Sequence, residues 1–532
     1  MARGYRPVDR DQSFLLPPDM RQWLPEGHPV WLVVGAVGQL DTAGFHAGRR
    51  TGGAGAAGYD PDMLVTLLIW AYANGVTSSR RIERLCGQDV AFRVICAGNL
   101  PDHATIARFR QQFAGAAAGL FAQVLVLCAR LGMGQVGTVA LDGTKVAASA
   151  SKAANRTEAG LRKLAAELAA EHAETDAAED ALFGDGRGDD DPGDPRTRAE
   201  RIAAALADLA AEREAAQRAE EAKAAEFRAR LAAGRVTGRA PARAAADLAR
   251  EAADREVARQ QAKVDAWQRA RAAGGRPPGP RPQDPQQYCR VRRARAKLAR
   301  AQARAAQQDT AAGNGKAPVR NITDPGSRLM PVRGGGFIQG YNAQNVTSED
   351  GLIIATRLTS GTTDYGWYEP MTGDAAAAAA LVAAHRPAAP GSGPDPGAAA
   401  IGLVLADAGY CSGHNLTCDG PDRLIAVGKR RDLEKAARTG GGGDAGREES
   451  GTALAAMAAR LATEDGITAY RRRGHIAETP HGHIKHNMGI RQLTMRGIAN
   501  ASAEWTFTCA VHNLLKAIST GHLTRQALAA AR

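Results

Sequence analysis

An ionised carboxylate does not stay in a protein core without compensation, yet this sequence sets one inside an apolar, β-branched run. Val139-Ala140-Leu141-Asp142-Gly143-Thr144-Lys145-Val146 is bounded by turn formers and reads as a buried strand. Alone, Asp142 fits either a hydrogen-bonded strand end or a metal ligand. Downstream segments favour the ligand. Leu403-Val404-Leu405-Ala406-Asp407-Ala408-Gly409-Tyr410 repeats the design, an apolar strand that delivers a carboxylate at its C-terminal edge. In open α/β sheets ligands gather at that edge. Further on, Tyr470-Arg471-Arg472-Arg473-Gly474-His475-Ile476-Ala477-Glu478 places Glu478 in a helix-like stretch dense in basic residues, followed by His481, His483, Lys485 and Arg491. Two Asp and one Glu from separate elements suit a pair of Mg²⁺ ions in phosphoryl transfer, because hard cations take oxygen ligands. Glu464 precedes Asp465-Gly466 and reads as a turn residue, and Glu504 has no basic helix behind it, so Glu478 is the better third carboxylate.

At 532 residues the chain is too long for one ordinary domain. Lys and Arg number 68 against 56 Asp and Glu, a formal charge of +12, which favours a polyanionic partner, nucleic acid before membrane. No run of eighteen apolar residues is present, so no membrane span is expected. Seven Cys, an odd number, make no disulfide framework and fit a reducing cytoplasm. Cys411, His414 and Cys418 lie close together but lack the fourth ligand of a zinc site.

Residues 1–135 read as helices. Asp60-Pro61-Asp62 caps a largely buried one, Ser79 opens the next, and Pro101-Asp102-His103 introduces another. In that last helix Ile106, Phe109 and Phe113 recur at helical spacing while Arg108 and Arg110 fall away from them. Short helices with Arg80, Arg81, Arg108 and Arg110 on the exposed side fit a helix-turn-helix-like DNA reader, the alternative being a plain helical cap. From Thr157 to about Gln308 the composition shifts to Ala, Arg, Glu, Lys and Gln, which favours long helices. Leu161, Leu164, Leu168, Ile202, Leu206 and Leu209 give it a thin apolar stripe, broken by loops at 183–195, 234–238 and 274–280. A β-hairpin is expected over 334–358, a helix over 368–385, a loop over 387–396, strands over 401–407 and 423–428, and a Gly-rich loop at 440–443. The boundaries are therefore 1–135, a helical DNA-binding domain; 136–156 with 319–516, a discontinuous catalytic domain; 157–318, a helical, partly coiled-coil-like insertion; and 517–532, a frayed C-terminal tail.

The ordered Asp142, Asp407 and Glu478 segments resemble the motifs of DDE transposases of bacterial insertion sequences. Lys485 follows Glu478 at the spacing of that family's Tyr-Arg-Glu-Lys signature, although Gly474 stands where the signature Arg usually lies and Arg473 sits one residue further back. The segments Ser79–Glu83, Pro101–Arg110, Gly340–Gln344 and Asn513–Lys516 extend the likeness, closest to the group called insertion-sequence eleven-eighty-two. The resemblance implies an α/β, ribonuclease-H-like catalytic core with an all-α N-terminal domain and a long helical insertion after the first strand region. It implies Asp142, Asp407 and Glu478 as catalytic metal ligands for two Mg²⁺ ions, with Mn²⁺ as a substitute. Arg80, Arg81, Arg108, Arg110, Arg473, Lys485 and Arg491 are the expected DNA contacts. The partners would be terminal inverted repeats and target DNA, bound by a homodimer or higher oligomer at the bacterial nucleoid. A catalytically idle assembly protein and a ribonuclease-H-like nuclease or resolvase are the competing readings.

Overall fold

The computed structural model describes residues 19–47, 58–112, 115–169, 198–234, 240–274, 279–310, 318–332, 335–387, 400–428 and 448–530. Phe113 and the expected loops at 183–195, 387–396 and 440–443 lie outside or mostly outside these residues. The chain divides into two units, 153–325 and the remainder. Among the described residues no single helix is long and apolar enough to cross a membrane.

The main unit begins with helices α1 (Val30–Val37), α2 (Pro61–Ala73), α3 (Ser79–Gln88), α4 (Val90–Ile95), α5 (His103–Gln112) and α6 (Ala117–Arg130). Asp60 caps α2 by accepting from the Asp62 amide, and Pro61 fills the first position, where a missing N–H costs nothing. Leu64 through Tyr72 are buried around the whole circumference of α2, which is therefore a core helix. One expectation is corrected in α5. Arg110 is buried, donating to the Thr77 carbonyl, the Tyr72 hydroxyl, Thr494 and the Glu504 carboxylate. The helix packs on more than one side, so the position opposite its apolar stripe meets protein instead of solvent. Arg80, Arg81 and Arg108 are exposed as expected.

Strand β1 (Thr138–Ala147) leads into the second unit, which holds β2 (Asn155–Thr157), α7 (Arg198–Ala232), α8 (Ala242–Ala272), α9 (Cys289–Thr310) and β3 (Val319–Asn321). The predicted stripe is its core: Leu161, Ile202 and Leu209 are buried, with Leu164, Leu168 and Leu206 packed against them. Antiparallel β2–β3 closes the base of the unit, and Arg320 is held there by Asp208 and Glu212.

Back in the main unit come β4 (Arg328–Pro331), β5 (Phe337–Ser348), β6 (Ile353–Thr359), α10 (Tyr368–His385), β7 (Leu403–Ala406), β8 (Asp422–Ile425), α11 (Glu448–Ala462), α12 (Glu464–Gly482), α13 (Ile498–Ser519) and α14 (Arg525–Ala530). Glu464 thus opens a helix, capped by Thr463, where a turn was expected. The mixed sheet runs β6-β5-β1-β7-β8, with β4 beside β6 on the outer edge of β5. β1, β5 and β6 are antiparallel neighbours, whereas β7 and β8 run parallel to β1. Strand alternation separates the two faces. Ala140, Leu405 and Leu424 pack against Met457, Ile476 and Ala477 of α11 and α12. Val139, Leu141, Val404 and Ile425 join the larger core, which also takes in α1–α6, α10 and α13. Two positions beyond Ala140, Asp142 shares the α12 face. The tail does not fray as expected: α14 docks, and Leu528 lies so close to Gly35 of α1 that a Cβ there would sit 2.8 Å from its Cδ1.

Candidate active site

The parallel pairing of β1 with β7 sets Leu141 opposite Ala406, so Asp142 and Asp407 leave neighbouring strands at the same level. Arg473 of α12 lies on both. Its guanidinium donates to Asp142 Oδ1 at 3.0 Å and stands 3.6 Å from Asp407 Oδ2. Its side chain is 14% exposed, and its Nε is buried with no hydrogen-bond partner. Arg473, an expected DNA contact, turns inward to the two carboxylates.

His481 completes this face two turns further along α12. Asn345, paired with Asp142 across β1–β5, accepts from Thr356 Oγ1 and Trp505 Nε1 through Oδ1. That fixes its amide so that Nδ2 donates to His481 Nε2 at 3.0 Å. The imidazole proton then resides on Nδ1, 3.7 Å from Asp142 Oδ2. Burial pushes the Asp142 carboxyl upward, but His481, Arg473 and the Gly143 amide outweigh it and hold it below the usual carboxylate range. Asp407 differs. Burial raises its carboxyl, Arg473 opposes, and the nearby Asp142 and Asp364 charges add to the rise.

Asp364, on the loop before α10, was not found from the sequence. It approaches from the opposite face of β1. Asn342 and Gln344, alternate residues of β5, donate to its Oδ1 at 2.6 and 2.7 Å, and Lys145 Nζ is 3.8 Å away. Gly143 makes room for this arrangement: a Cβ there would sit 2.6 Å from Gln344 Nε2 and 2.7 Å from Asp364 Oδ1. The side chain of Tyr410 donates to Gln344, and Asp407 Oδ1 accepts from the Gly409 amide at 2.8 Å. Burial lowers the Lys145 ammonium, with Asp364, Asp407 and Asp142 opposing.

Glu478 is exposed on α12 and makes no ion pair among the described residues. The helix passes into a π-helical turn, His483–Asn487, whose extra residue per turn shifts the following side chains around the axis. Lys485 consequently does not share the exposed setting of Glu478. It reaches β1, donating to Thr144 Oγ1 and to the Lys145 carbonyl at 2.9 Å, and burial lowers its ammonium. Arg491 is exposed and donates to the Lys485 carbonyl. The Cys411, His414 and Cys418 trio does not converge: His414 meets Glu369, and Cys418 lies beside Arg423.

The donor set suits a hard divalent cation. It is all oxygen, it already holds a cationic guanidinium between two carboxylates, and its two carboxyls are shifted in opposite senses.

Two family profiles match the chain. One, described as Transposase domain (DUF772), covers residues 18–112, which include α1–α5. The other, described as Transposase DDE domain, covers residues 446–518, which include Arg473, Glu478, His481 and Lys485. No match was found among curated proteins or solved structures. The two domains support DNA transposase function, and the enzyme is of the DDE type, which carries a general dependence on divalent metal.

Proposed function

We propose that this chain cuts DNA at the ends of a mobile element and joins the freed ends to target DNA. Asp142, Asp407 and Glu478 would hold two Mg²⁺ ions, with Mn²⁺ able to replace them. The observation that carries the reading is the delivery of Asp142 and Asp407, side by side, from the parallel strands β1 and β7 beneath one cation. The sheet order β6-β5-β1-β7-β8, with its first three strands antiparallel and the last two parallel to β1, supports a ribonuclease-H-like core.

Bound metal would make the attacking oxygen nucleophilic and stabilise the leaving one in an in-line displacement. The chain's own residues prepare that site. His481, held by Asn345 through Nε2, presents Nδ1 to Asp142 Oδ2 at 3.7 Å. Gly409 holds one oxygen of Asp407 and leaves the other toward Arg473. Lys485 ties the end of the α12 face to β1 beside Asp142. Arg80, Arg81, Arg108 and Arg491 are exposed and would contact the phosphate backbone, as positioning groups with no base specificity of their own. The terminal repeats, the homodimer or larger assembly and an insertion-sequence eleven-eighty-two kinship belong to this proposal.

The test is strand cleavage of a duplex carrying the element's ends, with and without Mg²⁺. Asp142→Asn and Asp407→Asn should abolish cutting while end binding persists. End binding by the wild type without cutting in either Mg²⁺ or Mn²⁺ would identify an idle assembly protein. Cutting of branched DNA that ignores the ends would identify a resolvase-like nuclease.

A further inference from the structure

The three long helices of the 153–325 unit differ sharply in charge. α7 carries as many acids as bases, and α8 carries seven bases with five acids. Four of the seven α7 bases are ion-paired, Arg213 with Glu158, Lys223 with Glu220, Arg228 with Asp247 and Arg230 with Glu226, and Arg243 of α8 pairs with Glu221. α9 is different. Its sequence, Cys-Arg-Val-Arg-Arg-Ala-Arg-Ala-Lys-Leu-Ala-Arg-Ala-Gln-Ala-Arg onward, holds seven bases and a single acid, Asp309, near its end. Among the described residues none of the seven makes an ion pair, and all lie on a helix that packs extensively against α8.

The spacing of these cations is the informative point. Arg290, Arg293, Lys297, Arg300 and Arg304 follow one another by alternating steps of three and four residues, which places them within about a quarter of the helix circumference. The first four are exposed and Arg304 is half-exposed. Val291 is buried, and Ala294, Leu298, Ala301 and Ala305 are half-buried, so the apolar stripe lies to one side and seats α9 on α8. The basic row is about 21 Å long at 1.5 Å per residue. Like charges three and four residues apart repel one another and weaken an isolated helix. Seven cations on a helix with one acid, none of them ion-paired among the described residues, are thus a cost to folding, and a polyanion would offset it.

We infer that the Arg290–Arg304 row of α9 is a DNA-backbone contact, sequence-independent and separate from the exposed arginines of α3 and α5. The inference rests on the transposase reading for the identity of the polyanion. Duplex DNA carries one charge per about 1.7 Å of axis, so phosphates along a row of this length outnumber its five cations, which can neutralise four or five of them.

The full-length protein tests this by salt titration of its binding to a duplex of arbitrary sequence. The fivefold variant Arg290→Gln, Arg293→Gln, Lys297→Gln, Arg300→Gln, Arg304→Gln keeps good helix formers in place. Its slope of log affinity against log salt should be shallower by about 4, at roughly 0.9 per phosphate contact. Replacing the four arginines with lysine should leave the slope close to wild type, which distinguishes lost charge from lost fold. Arg213→Gln with Arg230→Gln, two paired cations of α7, should also leave it unchanged. A helical fivefold variant with the wild-type slope overturns the α9 assignment while leaving the transposase reading intact, and points to an acidic protein surface as the partner of α9. A wild-type protein that binds no DNA at any salt overturns both.

Discussion

Glu504 is the best place to separate a carboxylate that holds the fold from one that performs chemistry. Its carboxylate is fully buried and accepts from Tyr72 Oη at 2.8 Å, Arg110 Nη2 at 3.1 Å, Thr494 Oγ1 at 2.7 Å and the amides of Thr494 and Met495, both at 2.8 Å. Five donors converge on it, two of them backbone groups of the segment that follows the π-helical turn. Glu504→Gln would keep the shape but turn an NH₂ group toward donors that need an acceptor, and would leave Arg110 uncompensated. Removing one partner of a buried pair costs about 3–5 kcal/mol. At roughly 2–4 °C per kcal/mol for a domain of moderate size, the melting temperature should fall by at least about 5 °C. Arg110→Met should cost a similar amount, and the double variant less than the sum by at least about 1 kcal/mol, since each single change leaves the other charge stranded. Circular dichroism melts of the four proteins make the cycle. Glu504→Gln protein kept below its melting point should still cut DNA. A Glu504→Gln protein within about 0.5 kcal/mol of wild type would refute the role given to this network.

Two further outcomes follow from buried groups. Burial, then His483, lowers the His512 imidazole to about 3 in the folded chain, against an ordinary value of 6.5. The unfolded chain then binds the proton more readily, so this contribution is complete above pH ~6.5 and is lost as pH falls toward 3, by about 1.4 kcal/mol per unit. Denaturant midpoints at pH 7.5 and 5.5 should show it, and His512→Asn should flatten the difference. Gly143→Ala should leave the protein folded at a cost of about 1–3 kcal/mol but displace Asp364 and Gln344. Cleavage should fall while the melting curve stays cooperative, and undiminished cleavage would show that their placement is irrelevant.

The strands that carry Asp142 and Asp407 were legible because an apolar run interrupted by a carboxylate is costly and therefore informative. The hairpin, the helix Tyr368–His385 and the parallel strands could be read from period and turn residues in the same way. Arg110 was misread for a definite reason. Helical spacing shows which side of α5 is apolar, but not that α2, Thr494 and Glu504 cover part of the other side. His481 could have been found: it lies eight residues, a little over two turns, beyond Arg473, with buried Ala477 between them. Asp364 could not. It comes from a loop, and its place beside Gly143 depends on how the chain returns after β6, which no local pattern encodes. The Gly340–Gln344 motif offered the only hint, because alternate amides on a buried strand need an acceptor.

The third carboxylate of the site is open to a direct test, because two candidates stand in opposite settings. Glu478 is exposed on α12 between Arg473 and His481 and unencumbered by any ion pair among the described residues. Asp364 is already occupied by two amides, with Lys145 close by, and it reaches the site from the other face of β1. A metal ligand needs a free lone pair, and Glu478, with no ion pair among the described residues, meets that need better than Asp364, whose Oδ1 already accepts from both amides. Asp364 then positions Gln344 and, through it, Tyr410, while its charge holds the Asp407 proton on more tightly. Asp364→Asn keeps an oxygen for both amides and removes the charge. It should leave metal-dependent cleavage within about tenfold of wild type, a change of no more than ~1.4 kcal/mol in the barrier. Glu478→Gln should abolish cleavage, reduce divalent-ion binding measured by calorimetry, and leave the melting temperature unchanged, as expected when carboxylates repel unless a cation intervenes. The reverse pattern, with Glu478→Gln still cutting and Asp364→Asn dead yet folded, would transfer the third ligand to Asp364.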